Sequence, residues 1–552
     1  MELSLDSPLA QYNGSRVSWV NEPNGRGTLS ILVSCLSSLF LSSWAVMHLN
    51  IPAKRTSTLR RLSSYLYWCI FGIFGPELVI WAAWRQLLSA WALRDELRKV
   101  PRQDSNISRH LAITDCSQIM DSDWTITHGF YTLMGGFVID TYDSTKQTNA
   151  DYANGISRLS LTPKGMLLLA KCNHLPRIPK EDILDKSKTD ELGKMMACAQ
   201  VTWIVIQVCA RLGLRLPVTI LEVTTVSHVI CALVLYALWW YKPRKVKEPT
   251  VLSGDWVQPL AAFMLMCSPE SEGQTLPGFR LDDEHSEIAC LRLMRSGAAG
   301  VEASDAYSFM YKRDGIGTSR LPPQESELVC SATTHARWRL ARDAIASYSA
   351  VRDIFRCPLD EQGQKYALAL QAYPEMPSRC RRENFAEKGT GTAASWLECD
   401  TQHLVVASAS NWPHDGLLRT TSGLWIGACL WLVSIIYSGI HIAAWEAAFP
   451  TKIEAWLWRG AAMYVAFSGL LWASVHVLAQ FSARLWWAWY DVMSGDSSRW
   501  VSWSIKISCA ICGLAYVLAR ANLIVEAFIS LRLLPAAAYI TPEWTLGVPH
   551  VA

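Results

Sequence analysis

The chain has 552 residues, 51% of them hydrophobic and only 18% charged, with 26 Trp and a formal net charge of +3. That balance lies on the membrane side of ordinary protein composition, because lipid tolerates apolar side chains and punishes charged ones. So small a net charge, without a basic stripe or a zinc-ligand spacing, excludes nucleic acid as the expected partner.

The first 27 residues are polar and carry no cleavable signal pattern. Asn13-Gly14-Ser15 is a glycosylation acceptor wherever the amino terminus lies outside. Six later stretches reach the roughly 20 apolar residues that a helix needs to cross a bilayer: 28–47, 196–214, 218–240, 424–444, 460–480 and 505–531. A seventh, 62–93, is ambiguous. It opens YLYWCIFGIFG, meets Pro76 and Glu77, and continues LVIWAAWRQLLSAWALRDELRK. Proline removes a backbone donor and kinks a helix, so this stretch is either one kinked crossing or a re-entrant half followed by an amphipathic surface helix. Counting alone makes seven crossings the simpler arrangement. Basic clusters at Lys54–Arg61, Arg94–Arg102 and Lys242–Lys247 place both large polar regions in the cytosol under either reading, and only the amino terminus changes side.

The first polar region, 94–194, reads as a small cytosolic α/β domain. DWTITHGFYTLMGGFVID looks strand-rich, with Gly135-Gly136 as a bend. LSLTPKGMLLLAKC is a helix start with Thr162 as cap and Pro163 in the first turn. IPKEDILDKSKTDELGKMM reads as a charged helix running straight into the next span. The second region, 241–420, is variable and partly disordered in composition, although THARWRLARDAIASYSAVRDIF (334–355) has the pattern of an amphipathic, solvated or membrane-surface helix. The remaining divisions are the tail 1–27, spans one and two in 28–93, spans three and four in 195–240, spans five to seven in 421–535, and the tail 536–552. The expected fold is therefore an all-α membrane helical bundle of six or seven spans, with that α/β domain and that loop attached.

Catalytic motifs are missing: there is no GxGxxG, Walker A, HExxH or GxSxG, and no cofactor is expected. Asp121, Asp123 and His128 resemble a metal site only faintly, since acidic turns before strands are common, and no metal is expected. Gly389-Thr390-Gly391-Thr392 is a flexible loop rather than a phosphate cradle. The 16 Cys form no disulfide framework, and Cys509-x-x-Cys512 lies in an apolar helix where packing is the plainer role.

The spans carry more information. Titratable groups at depth are costly, so they face a protein interior, a partner or water. They are Glu222 and His228; His441 and Glu446; His476; and Arg520 with Glu526. Arg520 sits near mid-depth, His476 toward the cytosol, and Glu222, His441, Glu446 and Glu526 toward the outer half. Six residues of helix turn about 600°, leaving Arg520 and Glu526 roughly 120° apart and about 9 Å different in depth, so each needs a partner from another helix. Arg532, just before Pro535, suits a helix carboxyl end. Structural pairing is the plainer reading of these groups, and a polar pathway or catalytic pocket the sharper one.

Several phrases, WVNEPNGRGTLSILVSCL, WAVMHLNIP, GPELVIWAAWRQ, THGFYTLMGGFV, DKSKTDELGK, LPVTILEV, LWWYKP, YVLARANLIVEAFISLRLLP and WTLGVPH, together resemble an uncharacterised family of fungal multi-pass integral membrane proteins. The resemblance covers 17–247 and roughly 405–552 and is weak across 250–400. It implies a fungal source and a protein of the plasma membrane or an endomembrane, and it supplies neither substrate nor catalytic residues. Three functions follow in order: a membrane scaffold or sensor with a cytosolic protein partner bound through 104–190; a transporter or channel using the intramembrane charges; and a membrane-embedded enzyme of lipophilic-metabolite biosynthesis. Whether the protein is an enzyme is left open by the sequence.

Overall fold

A computed structural model describes residues 15–21, 26–53, 56–100, 124–143, 148–149, 156–187, 191–266, most of 340–351, 404–412, 423–481 and 499–540. Helix α1 spans Thr28–Phe40 and ends in a π-helical turn, Leu41–Ala45. Then come α2 (Thr58–Phe74), α3 (Pro76–Lys99), α4 (Ile126–Leu133), α5 (Pro163–Lys171), α6 (Lys180–Asp185), α7 (Glu191–Gly213) and α8 (Ile220–Leu238). Helices α9 (Val257–Met266), α10 (Gly423–Ile442), α11 (Lys452–Phe481) and α12 (Arg499–Ile529) complete the set used below.

Among the described residues, four helical segments are long and apolar enough to cross a membrane: Thr28–Ala45, Lys194–Gly213, Ile220–Leu238 and Trp503–Arg532. Burial separates their roles. Helix α8 is 72% buried and packs against α1, α3, α7, α10 and α12, so it is the bundle's central post. The segment 503–532 is only 11% buried, exposing Trp503, Ile507, Ile511, Leu514, Leu518 and Val525. An apolar surface of that extent is consistent with a membrane-facing helix.

One pole of the bundle is closed by polar ties. Short strands β1 (Arg16–Val17) and a late strand at Leu534–Pro535 pair antiparallel. Thr28 Oγ1 lies 2.9 Å from Tyr539 Oη. The buried Arg211 guanidinium donates to the carbonyls of Pro217 (2.9 Å), Ala538 (2.9 Å) and Ile540 (2.8 Å), satisfying backbone acceptors that end the neighbouring helices.

The opposite pole carries the sheet domain. Its strands β2 (Phe137–Asp140), β5 (Arg158–Leu161), β6 (Thr250–Val251) and β7 (Val405–Val406) form one sheet in the order β6-β2-β5-β7, while β3 (Tyr142–Asp143) and β4 (Thr148–Asn149) make a small side ribbon. The late strand Leu534–Pro535 is β8. β2 runs parallel to β6 and antiparallel to β5, pairing Ile139 with Leu159 and Asp140 with Arg158, whose side chains form a 3.2 Å salt bridge. Strands from four distant segments thus share one core, in which Phe137, Ile139, Leu159, Leu161, Met166 and Phe263 are buried. Burying each such side chain contributes about 1.5–3 kcal/mol relative to exposure.

The segment 62–93 is resolved as two helices. Gly75 ends α2, Pro76 opens α3 at its first position, and the two axes bend by 112°. Both outer ends of the pair return to the same place. Ile51, just before α2, donates its amide to Met134 O at 2.9 Å, and Leu93 and Leu97 of α3 join Ile51 in the sheet-domain core.

Three local expectations change. Trp124–Ile139 is not strand-rich: Ile126–Leu133 is helix α4, because Thr125 and His128 make a capping box and six of its eight residues are buried on several sides. Only Phe137–Asp140 is strand. The charged helix ends at Asp185 in a turn at Lys186-Ser187, so α6 and α7 are separate among the described residues. Within 334–355, Ala341, Ala344 and Val351 are buried in the sheet-domain core rather than lying on a membrane surface. The cap predicted at Thr162 is present, its hydroxyl accepting from Gly165 N at 3.2 Å. Asn13, Asp121, Asp123 and Gly389–Thr392 lie outside the described residues.

Candidate functional site

The break between α2 and α3 builds a charged site in the middle of the bundle. Pro76 occupies the first position of α3, where its missing N–H is no loss. Glu77 follows in the first turn, where the helix dipole favours a carboxylate. From α12, Arg520 reaches across and donates through Nη2 to Glu77 Oε2 at 2.6 Å. Glu77 is 2% exposed and Arg520 1% exposed, so this is a fully buried ion pair.

A shell of hydroxyls and rings completes it. Tyr516 Oη donates to Glu77 Oε1 at 2.6 Å and accepts from Arg520 Nη2 at 3.0 Å. Ser434 Oγ lies 2.9 Å from the same Tyr516 oxygen. The guanidinium carbon of Arg520 sits 3.8 Å from the ring centroid of Tyr437, a cation–π contact strengthened by the dry surroundings. Three helices, α3, α10 and α12, therefore converge on one charge pair, and α8 supplies the other side.

His228 on α8 reads the broken end of α2. Its Nε2 is 2.9 Å from Ile73 O, a carbonyl near the end of α2, and its Nδ1 is 2.8 Å from Thr224 O. Whichever ring nitrogen carries the proton donates to its carbonyl, and a doubly protonated ring satisfies both. Tyr437 Oη lies 3.4 Å from Nε2, which links the histidine to the ring over Arg520. His441, one turn on from Tyr437, has Nδ1 2.8 Å from Tyr437 O and stacks near Trp458, while its Nε2 has no partner among the described residues.

The other sequence-nominated residues lie elsewhere. Glu222 is an end group of α8: it closes a capping box with Thr219 and forms an ion pair with Arg26. Glu526 is buried against Glu454 and Arg532 at that same closed pole, and Arg532 pairs with Glu454. Glu446 is exposed in the turn after α10. His476 lies in α11, with its side chain outside the described set. The structure thus joins Arg520, His228 and His441 into one neighbourhood and leaves Glu222, Glu526 and Glu446 out of it.

Sequence reading missed Glu77, Tyr437 and Tyr516. A carboxylate directly after a proline inside an apolar run was a usable signal, because that proline marks a helix start at depth. The tyrosines had none, since aromatic residues in spans are ordinary.

His128 is structural. Its Nε2 donates to Ile178 O at 2.8 Å, and its Nδ1 accepts from the Thr125 amide at 3.2 Å, so no lone pair faces a metal. Among the described residues no group of three or more His, Cys, Asp or Glu side chains is placed to hold a metal ion. Cys509 and Cys512 are free thiols on α12.

A second polar locus lies where the bundle meets the sheet domain. Lys242, buried just beyond α8, donates to Asn50 Oδ1 (2.9 Å) and Gln86 Oε1 (2.8 Å) and sits 5.0 Å from the Trp239 ring centroid. Burial without a carboxylate pushes its ammonium down to about 7. His48 nearby is lowered by burial first and then by Lys194. Lys194 donates to Trp240 O at 2.8 Å, and Arg244 to Trp44 O at 3.2 Å, in the π-helical turn.

Comparison with known proteins gives no match to a curated protein and none to a solved structure. Residues 3–315 and 425–551 match a family described as a family of unknown function, DUF8562. Those two stretches cover the α2–α3 break, α8 and α12, and with them every member of the buried charge site. The chain belongs to that family of unknown function.

Proposed function

We propose that the protein is a multi-pass integral membrane scaffold or sensor, in which a re-entrant helix pair couples a charge site inside the bundle to a cytosolic sheet domain. The observation that carries this reading is the continuity of α3. Its first turn holds Glu77 against Arg520, and its last turns place Leu93 and Leu97 in the sheet-domain core. A shift at one end of a stiff helix of 24 residues is felt at the other, about 36 Å away.

The topology supports six crossings, by α1, α7, α8, α10, α11 and α12, with α2–α3 entering and leaving on the sheet-domain side. Arg60, Arg61, Arg94, Arg98, Lys242, Arg244 and Lys245 then share that side, which the positive-inside rule makes cytosolic. The phrase-level resemblance supports a fungal source and a plasma-membrane or endomembrane location. A protein partner engaged through 104–190 fits the scaffold reading.

Transport is the weaker reading. Of the intramembrane charges that recommended it, Arg520 is 1% exposed and bound by Glu77 and Tyr516, and Glu222 is paired with Arg26. The enzyme reading finds no open, activated group in the bundle among the described residues.

The test is amide hydrogen exchange on the reconstituted full chain and its Glu77→Gln variant. Faster exchange in Phe137–Asp140 and Arg158–Leu161 of the variant is expected. Unchanged exchange there, with the bundle alone loosened, would remove the coupling. Solute flux through wild-type liposomes that disappears in Arg520→Ala would replace the scaffold with a transporter.

A further inference from the structure

At the closed pole of the bundle two carboxyl groups meet, in a contact that the Glu77–Arg520 site does not use. Glu454 stands in the first turn of α11, and Glu526 in the last turn of α12. Their side chains are within hydrogen-bonding reach of each other. Arg532 donates to Glu454 Oε1, and the Glu454 amide donates to Thr451 Oγ1 at 3.2 Å. The second Glu454 oxygen, Oε2, and Glu526 Oε1 are both closed off from water and have no donor among the described residues.

Two ionised carboxylates do not hold such a contact, because like charges at this range repel and neither oxygen can donate. One proton between them removes both faults. Water does not reach either oxygen, so a hydrated ion has no room here. A bare metal ion is short of ligands: among the described residues no group of three or more His, Cys, Asp or Glu side chains is placed to hold one.

The helix ends say which group carries the proton. Glu454 lies at the positive end of the α11 dipole and beside Arg532, and both favour its carboxylate. Glu526 lies at the negative end of the α12 dipole, and its residue is only 5% exposed. Both conditions favour an uncharged carboxyl group. Neighbouring cations of this pole are engaged elsewhere: Arg16 donates to Phe449 O (2.8 Å), Arg459 to Trp445 O (2.8 Å), and Arg26 pairs with Glu222. Arg211 serves backbone carbonyls, and Arg215, Glu446 and Lys452 are exposed.

We propose that Glu454 and Glu526 form a proton-binding site, in which Glu526 carries one proton and donates through it to Glu454 Oε2. The site latches α11 to α12, and Glu454 passes the link on to Arg532. The proton comes from the compartment that this pole faces, across the membrane from the sheet domain. Its return to water leaves two carboxylates in contact and opens the latch. The proposal stands apart from the scaffold reading, since neither Glu77 nor Arg520 takes part.

The test uses the full chain in nanodiscs of phosphatidylcholine. Infrared spectra at neutral pH should show a protonated-carboxyl C=O band that Glu526→Gln removes. The glutamine offers Glu454 an amide N–H in place of the acid proton and has no proton to lose. The folded wild type holds a proton that the unfolded chain releases, so raising the pH favours unfolding. Its melting temperature should therefore fall relative to that of Glu526→Gln between mildly acidic and alkaline buffer.

Parallel melting curves for the two proteins, with no band lost, overturn the site. Stabilisation of the wild type by calcium at neutral pH, absent from Glu526→Gln, also overturns it and assigns the pair to a metal ion. If Glu526→Gln does not fold, Glu454→Gln decides. Its amide donates to Glu526, which then ionises, so the carboxyl band should be lost. A band unchanged in that variant overturns the proposal.

Discussion

Arg520 and Glu77 are held by desolvation as much as by attraction. Two charges taken out of water cost several kcal/mol each, and a pair recovers this only with good geometry and further hydrogen bonds. Here Tyr516 bonds to both partners and the Tyr437 ring adds a cation–π contact, while Arg520 Nε and Nη1 have no hydrogen-bond partner among the described residues. Removing one partner leaves the other uncompensated, so Glu77→Gln or Arg520→Met alone should cost about 3–5 kcal/mol. The double variant should cost clearly less than the sum, and thermal unfolding of the four proteins in one detergent measures that difference. Additive costs would mean that the two side chains do not interact. Lys242 makes a different prediction, because its acceptors are neutral. Folding lowers its ammonium from an ordinary 10.5 to about 7, so between those values the unfolded chain binds more protons. Stability contributed by this site therefore rises with pH across that window, by at most about 1.4 kcal/mol per pH unit, and is flat below it. Lys242→Met should remove the rise, which the difference between wild-type and variant pH–stability curves isolates from other titrating groups. Arg520's need for a partner was legible from its depth. The partner itself was not, because Glu77 lies 443 positions away and helical periodicity carries no information about which face of another helix it meets.

At the scale of elements, the apolar stretches at 28–47, 196–214 and 218–240 were legible because length and composition alone define them, and helices occupy all three. Helix α4 was not. Its sequence, ITHGFYTL, is aromatic and β-branched, a composition that favours strands when neighbours are ignored. Packing decides instead: α4 crosses α3 closely, and Gly129 makes the approach. A Cβ at Gly129 would sit 2.6 Å from Ala90 O and 2.9 Å from Ala90 Cα, backbone atoms that cannot turn aside. Gly129→Ala should therefore force α4 off α3 and cost about 1–3 kcal/mol, as overpacking does elsewhere. Because α3 carries Leu93 and Leu97 into the sheet-domain core, limited proteolysis of the variant should cut first in the sheet domain, not in the bundle. Preferential cleavage between α10 and α11 would contradict this order of weakening. Gly135 is a separate requirement: at φ +79° it turns the chain from α4 into β2, a backbone state that side chains with a Cβ adopt at a cost.

At the scale of the molecule, the number of crossings turns on where the two ends of the α2–α3 pair lie. Composition left this open, since a kinked span and a re-entrant hairpin bury the same residues and differ only in the path after Pro76. The fold constrains the path of the α2–α3 pair. Ile51 and Leu97 meet in one core, so the chain that leaves toward the bundle at Thr58 comes back to the same pole by Lys99. The 112° bend at Gly75-Pro76 is the turning point, where His228 Nε2 lies 2.9 Å from Ile73 O and Glu77 stands in the first turn of α3. With the six crossings proposed above, Arg16–Val17 and Leu534–Pro535 both stand at the pole opposite the sheet domain. There β1 pairs with β8, and Arg26 pairs with Glu222. If the sheet domain is cytosolic, that pole is lumenal or extracellular, and Asn13 of the sequence Asn13-Gly14-Ser15 is presented to the glycosylation machinery. Expression of the full chain in a eukaryotic host should give a product whose gel mobility increases on treatment with an N-glycosidase. Asn13→Gln should run at the deglycosylated position without treatment. A wild-type chain that stays unmodified, while a glycosylation acceptor engineered into the sheet domain is used, would invert the orientation; an unmodified Asn13 with cytosolic sheet domain would restore seven crossings.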